Sequence, residues 1–594
     1  MQLFQRSVYC GEVNKGFEGK EIFLAGWVHG RRDHGGVIFI DLRDRTGLVQ
    51  LVFNPQVNAQ ATEQAHALRA EFVISVRGKV IARAPEAVNP KMPTGTLEIK
   101  VDHLSIVAIA KPLPFQLEEA EHVDEEIRLR YRYLDLRRPA MHDHIKLRHD
   151  VTFAMREYFD RLGFYEIETP MLTKSTPGGA RDFLVPSSVN PGTFYALPQS
   201  PQIYKQLLMA SGMDRYFQIA RCFRDEALRA NRQPEFTQLD LEMSFIQESD
   251  IQDICEGLIA ILWKKFLGIE LSLPLRRYTF DEVMARFGSD KPDMRFGLEV
   301  HDMTKLFADT ELKFLKTTVA QGGKIGALCV KEKEFSRSEL EHWVNTAIKG
   351  LGAKGLLYIR FNADGTSDSP VAKFLPSDFF RQAREVIPDL EPNHTLFLVA
   401  GPYLEAWSML GKLRIELGKQ LGLIDTKQWN MFWVTDFPMF EWDAETKHWN
   451  AMHHPFTSPQ KDWEAMAMGD VRARAYDLVC NGEELGGGSI RIFDATAQAK
   501  VFEAIGLSPE VAQQKFGFLI NALEYGFPPH GGIALGIDRL IMLFAGTASI
   551  RDVIAFPKTQ SGACLMMDAP STVEESQLKE LHIKTVAKAQ EKKA

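Results

Sequence analysis

The chain has 594 residues, of which 45% are hydrophobic and 25% charged, a balance typical of a globular protein with several domains. Its formal net charge of −8 argues against a generally basic coat for nucleic acid, although it does not exclude local basic surfaces. Six scattered cysteines form no C-x-x-C pair, and the sequence shows neither a signal-peptide core nor an apolar run of about 18 residues, so we expect a reduced, cytoplasmic protein without a membrane span.

Residues 1–110 predict a small β-domain. Strand-like runs occur at 22–28, 37–42, 48–53, 72–76 and 95–99, and one helical stretch lies at 61–69. Five short strands with one helix are typical of an OB-type barrel, but the strand count alone does not separate it from other small β-domains. Phe39 lies in a continuous apolar run, so the pattern alone favours a core position for its ring.

A linker follows at 111–139, acidic at first and then rich in arginine. The basic part, 128–139, fits a hinge beside a nucleic-acid path and equally well a salt-bridged turn. Residues 141–162 then show helical periodicity and lead into 163–170. Taken alone, this pattern predicts a helix followed by a buried strand.

Two apolar runs, 216–219 and 236–245, flank a loop dense in arginine and carboxylates, which predicts a hairpin with a long charged connection. Arginine holds phosphate bidentately. Arg224 and its neighbours therefore favour a loop that binds a triphosphate ligand over a loop that is merely solvated. Because alternate residues of a strand share one face, Asp240 and Glu242 line up together.

Three further blocks follow a stretch at 289–420 that carries helix and strand signals but no recognisable motif. Asp477 and Glu484 lie on a predicted hairpin and offer hard oxygen ligands for Mg²⁺, although two acids seven residues apart are usually surface residues. A triple glycine at 486–488 precedes Arg491, and Arg539 ends a G-x-D-R sequence that follows a glycine-rich strand. Such glycines allow the backbone to approach a ligand closely.

These blocks resemble motifs 1 (163–170), 2 (223–240) and 3 (528–539) of class II aminoacyl-tRNA synthetases. Their order from about residue 9 to the C-terminal region is similar to that of the bacterial aspartyl-tRNA synthetase family. The resemblance implies a multidomain α+β protein whose catalytic domain is built on an antiparallel sheet. The implied parts are an OB-fold anticodon-binding domain (1–110), a hinge (111–139), two catalytic parts (140–288 and 421–560), an inserted α+β domain of the GAD-like type (289–420) and a C-terminal extension (561–594).

By the resemblance, Arg224 and Arg539 are the catalytic arginines. Arg224 would contact the α-phosphate and the substrate carboxylate, while Arg539 would stack on adenine and reach the γ-phosphate. The implied ATP-binding residues are Arg224, Asp225, Glu226, Gln233, Glu484, Gly536, Ile537, Asp538 and Arg539. Asp477 and Glu484 would bind the Mg²⁺ that accompanies ATP.

The implied aspartate-binding residues are Gln202, Ile203, Tyr204, Lys205, Arg224, Asp240, His453 and Arg491, with the family's glutamate position at Gly178. Arg491 would read the side-chain carboxylate of aspartate, and Lys205 would add a second cation. A pocket with two cations prefers a short dicarboxylic amino acid over its neutral amide. His453 would close over the substrate, whereas His454 fits a buried structural role.

Gly178 departs from the family pattern, which has glutamate where it helps to hold the substrate ammonium. We expect the variant Gly178→Glu to have a lower KM for aspartate than the natural chain, because it regains a carboxylate contact and loses loop flexibility. Steady-state kinetics on both proteins measure this, and equal KM values contradict it.

The resemblance also implies a tRNA-binding face on the barrel. Arg32, Phe39, Gln50 and Glu98 match positions that contact anticodon bases. His34 occupies a position where enzymes specific for the aspartate tRNA tend to have leucine. Glu86 lies at about the position where those enzymes tend to have lysine. Both features favour the form that charges tRNA(Asp) and tRNA(Asn).

The implied activity is aspartate–tRNA ligation through aspartyl-adenylate, by a homodimer that meets at motif 1, with an amidotransferase as a possible functional link for the mischarged product. A strictly discriminating aspartate ligase is the first alternative. Synthetases for asparagine or lysine are disfavoured by Arg491, Lys205 and the insertion. A non-catalytic tRNA-binding paralogue would have been free to lose Arg224, Arg539, Asp477 and Glu484, and the sequence keeps all four.

Overall fold

The structure, a computed structural model, describes residues 5–175, 180–228, 231–331, 333–364 and 366–586. The chain divides into two compact units, one of residues 1–149 and 551–572 and the other of residues 150–550 and 573–594. Within the described ranges, no helix is both long and apolar enough to cross a membrane.

The first unit contains a closed five-stranded barrel. Its elements are β1 (Glu21–His34), β2 (Val37–Asp44), β3 (Gly47–Phe53), α1 (Ala59–His66), β4 (Val73–Ala82) and β5 (Leu97–Ala108). The strand order around the barrel is β1-β2-β3-β5-β4, with only β3 and β5 parallel. The predicted five strands and one helix are therefore confirmed, although β1 is about twice as long as its apolar run.

Phe39 does not lie in the barrel core. The side chains on either side of it, Ile38 and Ile40, are fully buried, whereas Phe39 is half-buried on the opposite face of β2. Its ring centroid lies 5.8 Å from that of His34. The core position that the apolar run favoured is wrong, because side chains alternate between the two faces of a strand whatever their polarity.

The predicted linker at 111–139 contains two short helices, α2 (Glu125–Arg130) and α3 (Arg132–Asp135), and α4 (Pro139–Arg161) begins at its end. The fully buried Asp135 accepts hydrogen bonds from Arg132 at 2.6 Å and Arg138 at 3.0 Å. Both arginines are therefore paired within their own unit. Of the two alternatives for the basic segment, a hinge beside nucleic acid or a salt-bridged turn, these contacts fit the salt-bridged turn.

The second unit, from residue 150 onward, contains most of the predicted catalytic domain. Its first elements are β6 (Tyr165–Glu166), β7 (Leu184–Pro186), β8 (Phe194–Ala196), α5 (Gln202–Ala210), β9 (Arg215–Phe223), β10 (Glu235–Ser244), α6 (Glu248–Leu267), β11 (Arg276–Thr279) and α7 (Phe280–Phe287). The buried strand expected after α4 is wrong: β6 is a two-residue edge strand, and Tyr165 is 63% exposed.

A separate five-stranded sheet lies within residues 289–420. Its elements are β12 (Val300–Asp302), α8 (Lys313–Ala320), β13 (Lys324–Val330), α9 (Arg337–Asn345), β14 (Leu357–Phe361), β15 (Ser367–Asp368), α10 (Phe379–Val386), β16 (Thr395–Gly401) and α11 (Tyr403–Gln420). The sheet order is β12-β13-β16-β14-β15, so the insertion has its own α+β core.

The chain then returns to the larger sheet. The remaining elements are β17 (Met431–Thr435), β18 (Phe440–Asp443), β19 (His448–Ala451), β20 (Ala475–Cys480), β21 (Glu483–Ile490), α12 (Ala495–Ala504), α13 (Pro509–Leu523), β22 (His530–Gly536), α14 (Ile537–Ala545) and α15 (Glu575–Glu580). The eight strands run in the order β11-β17-β20-β21-β22-β10-β9-β6. The six inner strands pair antiparallel, which brings β10, β21 and β22 side by side.

Candidate active site

The β9–β10 hairpin was predicted correctly and carries Arg224 at its charged end. The backbone amide of Arg224 donates to the carbonyl of Pro234 at 2.9 Å, which fixes the base of the loop. The guanidinium carbon lies 5.0 Å from the centre of the Phe236 ring, and Nε is buried without a hydrogen-bond partner in the described chain. Arg224 is therefore positioned by packing and retains a donor for a ligand.

Other predicted loop residues have partners on the protein. Glu226 pairs with Arg232 at 3.1 Å, and Asp225 pairs with Arg181 at 3.2 Å. Gln233 is buried. Gly178 lies outside the described residues, so its predicted role in aspartate binding stays a prediction.

Four charged side chains, one from α5, two from β10 and one directly after β21, meet under the central strands. Lys205 on α5 places Nζ 3.2 Å from Asp240 Oδ1 and 3.3 Å from Glu242 Oε2. Arg491, which follows β21, donates to both oxygens of Glu242, at 2.9 and 3.2 Å. All four are at most 2% exposed, so the protein holds two cations and two carboxylates out of water.

A glycine on β22 makes room for this cluster. Gly532 pairs with Glu242 across the sheet, and a Cβ atom there would lie 2.0 Å from Glu242 Oε2. The neighbouring Ser489 adds a further acceptor, because its Oγ accepts a hydrogen bond from Nη1 of Arg491 at 2.6 Å. The buried ion cluster therefore depends on the glycine-rich strands as well as on the charges.

The two carboxylates titrate in opposite directions. Burial raises the pKa of Asp240, and the charge of Lys205 opposes that rise only in part. Burial also favours neutral Glu242, but the charges of Arg491 and Lys205 outweigh it and lower the pKa of Glu242. Oδ2 of Asp240 is buried and, in the described part of the chain, accepts no hydrogen bond, so it is available to an ammonium group.

The two neighbouring histidines differ. His454 places Nε2 2.7 Å from Nη1 of Arg491, and burial followed by the charge of Arg491 lowers its pKa well below the usual value. Burial also lowers the pKa of His453 to about 4, so His453 is neutral near pH 7. Nε2 of His453 has no partner among the described residues, and its ring packs edge-on against Phe437 at 5.3 Å.

The second predicted arginine lies in the first turn of α14. Nη1 of Arg539 donates to the carbonyl of Glu484, and Nε lies 3.7 Å from a carboxylate oxygen of Glu483. Asp538 accepts from the backbone amide of Thr237 at 2.7 Å, which ties α14 to β10. The side chain of Ile537 is fully buried.

Asp477 and Glu484 lie on adjacent strands, β20 and β21. Asp477 pairs with Gly487, where a Cβ atom would lie 2.5 Å from Asp477 Oδ1 and 3.8 Å from Glu484 Oε1. The glycine thus leaves a small open cradle between two carboxylates, which fits Mg²⁺ shared with phosphate oxygens. In the described ranges, no three His, Cys, Asp or Glu side chains form a metal-binding group. The protein therefore offers only part of the coordination shell of a metal ion.

Burial raises the pKa of Asp477 well above its usual value, and the nearby negative charges of Glu484 and Asp290 raise it further. A bound cation would reverse this, because it favours the charged form of each carboxylate. The pair therefore suits a ligand that brings positive charge with it.

A cavity of about 490 Å³ reaches the buried ion cluster through His454, which lines the cavity and contacts Arg491. Five side chains face this one space: Gln202, Ile203, Tyr204, Arg224 and His454. The amide Nε2 of Gln202 donates to Gln206 Oε1 at 3.1 Å. The aromatic side chains of Phe456, Phe516 and Phe518 and the polar side chains of Lys174, Asp182 and Gln199 also line the cavity.

The four predicted anticodon residues share one face of the barrel in the first unit. Arg32 Nη2 donates to Asp41 Oδ1 at 2.8 Å and to Gln50 Oε1 at 3.1 Å, and Gln50 Nε2 donates to Glu98 Oε2 at 2.9 Å. Arg32 is the cross-strand neighbour of Phe39. His34 is exposed at the end of β1, and Glu86 is exposed on a short 3₁₀ turn.

Sequence reasoning missed several residues that the structure adds to the site. Glu242 was aligned with Asp240 but given no role, and His454 was interpreted only as structural. Gln206, whose Nε2 lies 3.1 Å from His530 Nε2, had no signal in the sequence beyond its place on α5. Glu242 could have been found from its strand alternation with Asp240 and from the buried strand around it.

Comparison with known proteins agrees with this architecture. A family model described as "tRNA synthetases class II (D, K and N)" matches residues 124–560, and an "OB-fold nucleic acid binding domain" matches residues 22–107. The fold and these matches together define an antiparallel-sheet synthetase core joined to an OB barrel. The chain belongs to the class II tRNA synthetases of the D, K and N group.

Curated relatives match along almost the whole chain. "Aspartate--tRNA(Asp/Asn) ligase" of Bacillus subtilis is 50% identical and covers 98% of this chain and 99% of its own length. "Aspartate--tRNA ligase" of Bacillus licheniformis is likewise 50% identical, with the same coverage. Among solved structures, asparaginyl-tRNA synthetase from Pyrococcus horikoshii with asparaginyl-adenylate matches with a TM-score of 0.58 at 20% identity, covering 94% of this chain and 98% of that one, which supports the fold.

Proposed function

We propose that the protein is an aspartate–tRNA ligase that uses ATP to aspartylate tRNA(Asp) and tRNA(Asn). The observation that carries the substrate assignment is the buried cluster of Lys205, Arg491, Asp240 and Glu242. Relatives named as aspartate–tRNA(Asp/Asn) ligases, which are 49–51% identical in sequence to this chain, support the same activity.

Aspartate is selected by charge. Arg491 presents a guanidinium fixed by Glu242 to the side-chain carboxylate of the substrate, and Lys205 adds positive charge to the same region. The unbonded Oδ2 of Asp240 accepts from the substrate ammonium. Asparagine would present a neutral amide to Arg491, and its NH₂ group facing a guanidinium would be a buried donor without an acceptor, which is strongly penalised.

Activation follows from position and charge. The α-carboxylate of aspartate attacks the α-phosphorus of ATP, the bond to the β-phosphate oxygen breaks, and aspartyl-adenylate and pyrophosphate result. Arg224 stabilises the negative charge that develops on the α-phosphate, and Arg539 holds the adenine and the phosphate tail. Glu226 and Gln233 complete the adenine side of the ATP site, next to the backbone at 536–538.

Asp477 and Glu484 would hold Mg²⁺ together with ATP. Bound there, it would supply positive charge that offsets the charge of the departing pyrophosphate. The two carboxylates position it, and Gly487 keeps the cradle between them open.

The second step transfers the aspartyl group to the terminal ribose hydroxyl of tRNA, with release of AMP. The cavity beside Gln202 and Arg224 adjoins the amino-acid cluster and gives this hydroxyl a route to the activated carbonyl. The barrel face formed by Arg32, Phe39, Gln50 and Glu98 binds the anticodon, through stacking on Phe39 and edge hydrogen bonds to the polar residues.

The decisive experiment has two stages. Aspartate-dependent exchange of labelled pyrophosphate into ATP should occur with the purified protein, and it separates a synthetase from a non-catalytic tRNA-binding protein. Exchange that responds to asparagine or lysine instead would identify another member of the group.

Charging of two purified tRNAs then tests the relaxed specificity that His34 and Glu86 favour. We expect aspartylation of both tRNA(Asp) and tRNA(Asn), because the barrel lacks the leucine and lysine of the discriminating form. The variant His34→Leu should lose charging of tRNA(Asn) more than charging of tRNA(Asp). Failure of the natural protein with tRNA(Asn) would restrict it to strict aspartate–tRNA(Asp) ligation.

The assembly and setting belong to the same proposal. The exposed edge strand β6, with Tyr165, provides a surface for a homodimer that meets at motif 1. The protein acts in the cytoplasm, and a tRNA-dependent amidotransferase would convert the aspartyl-tRNA(Asn) product.

A further inference from the structure

Lys291 lies beside the carboxylates of β20 and β21, and the proposed mechanism gives it no role. Its Nζ is 3.5 Å from Oε2 of Glu484, and the two side chains are 43% and 36% exposed. Lys291 belongs to residues 288–298, between α7 and β12, which we call the strap. The strap connects the catalytic sheet with the inserted domain.

One end of the strap is fixed to α11 of the inserted domain. Arg414 is 1% exposed and donates to the carbonyls of Phe296 and Gly297 at 2.8 Å and of Leu298 at 3.1 Å. Its guanidinium carbon also lies 4.0 Å from the centre of the Phe296 ring. A buried cation satisfied by three consecutive carbonyls holds that backbone in one conformation.

The beginning and the middle of the strap are also held in place. A Cβ atom on Gly288 would lie 2.0 Å from the carbonyl oxygen of Trp407, so the strap and α11 approach at backbone distance. Near its middle, Asp293 is clamped by Arg295 at 2.9 and 2.6 Å and packs against Gly482 in the β20–β21 turn. Lys291 is therefore presented to Glu484 by a segment anchored on both sides.

We propose that Lys291 is a built-in counter-cation that occupies Glu484 in the free enzyme and keeps divalent metal out until ATP arrives. A fixed positive charge beside one of two carboxylates repels a second cation, and the effect is largest where the charges are partly shielded from water. Asp477 and Glu484 alone supply few of the six oxygens that Mg²⁺ takes, and phosphate oxygens supply more. The proposal rests on the proposed function, which brings ATP to this pair.

The test is the affinity of the nucleotide-free, full-length protein for Mn²⁺ alone, measured from the electron paramagnetic resonance signal of free Mn²⁺. We expect Lys291→Met to bind Mn²⁺ roughly three- to fivefold more tightly than the natural protein, the scale of a half-exposed ion pair. Lys291→Arg keeps the charge and should match the natural protein. The double variant Lys291→Met with Glu484→Gln should lose the gain.

A matched control is Lys316→Met. Lys316 on α8 also lies near a glutamate, with Nζ 3.7 Å from Glu311, but outside the site, so Mn²⁺ affinity should not change. An unchanged thermal midpoint verifies the fold of each variant, and Lys291→Gln replaces Lys291→Met if the latter does not fold. The proposal is overturned if Mn²⁺ binds the neutral variant no more tightly than the natural protein, including binding to neither, or if the gain survives Glu484→Gln.

The proposed function and the proposed role of Lys291 can be refuted separately. Absence of aspartate-dependent pyrophosphate exchange in the natural protein would refute the proposed function while leaving the Mn²⁺ titration interpretable. Normal exchange together with equal Mn²⁺ affinities would refute the role of Lys291 alone.

Discussion

Replacing Glu242 by glutamine is expected to lower the stability of the protein by about 3 kcal/mol, the scale for removing one partner of a buried ion pair. Glu242 is fully buried and is the shared acceptor of Arg491 and Lys205. The neutral amide cannot balance these two cations, and one of its two terminal atoms is a donor. Urea denaturation of the ligand-free protein measures the loss.

The same variant should impair aspartate use, because Glu242 is a positioning residue for Arg491. A guanidinium that has lost its bidentate anchor shifts by a fraction of an ångström or more, and such displacements reduce kcat/KM by roughly 100-fold. The KM for ATP should change much less than the KM for aspartate. That split distinguishes positioning of the amino acid from a general loss of structure.

Glu248→Gln provides a matched control. Glu248 also binds an arginine bidentately, Arg474 at 2.7 and 2.7 Å, but both side chains are about one-third exposed. Water can solvate the arginine left behind, so we expect a loss of less than about 1 kcal/mol. Similar losses for the two variants would contradict the burial argument.

The parts of the fold that sequence predicted best are those with a local signal. The barrel strands alternate and end at turns, and the hairpin around Arg224 has an apolar run on each side of a charged loop, so local patterns were sufficient. Phe39 shows where that reasoning fails, because a continuous apolar run conceals which side chains point inward. Only the pairing of β2 with its neighbours reveals the exposed face.

The resemblance named candidate site residues one by one, but it did not predict their mutual contacts. Lys205, Asp240 and Arg491 were each identified by resemblance, yet the carboxylate that joins two of them lies 249 residues from Arg491. That contact requires β21, β22 and β10 to be adjacent and Gly532 to leave space for Glu242. Long-range strand order carries no local periodicity, so Glu242 had no visible partner in the sequence.

Replacing Arg224 by glutamine is expected to reduce kcat for aspartate-dependent pyrophosphate exchange by roughly 10²–10³-fold, as for loss of one preorganised donor at a developing charge. Its Nε has no hydrogen-bond partner in the described ranges, and the side chain faces the cavity, so the substitution removes few contacts of the free enzyme. Stability should therefore change little while the rate collapses. Arg224→Lys keeps the charge without the planar fork and should recover only part of the rate.

Arg221→Gln is the control from the same hairpin. Arg221 pairs with Glu235 at 2.9 Å and donates to Thr237 at 3.1 Å, and it is half-exposed rather than directed at the cavity. Its loss removes one positive charge from the same hairpin, so a purely general electrostatic effect on ATP would slow both variants alike. We expect Arg221→Gln to retain near-natural exchange, since a positioned donor matters far more than a distant, solvated charge. Equal rates in the two variants would remove Arg224 from the α-phosphate and leave its role to Arg539.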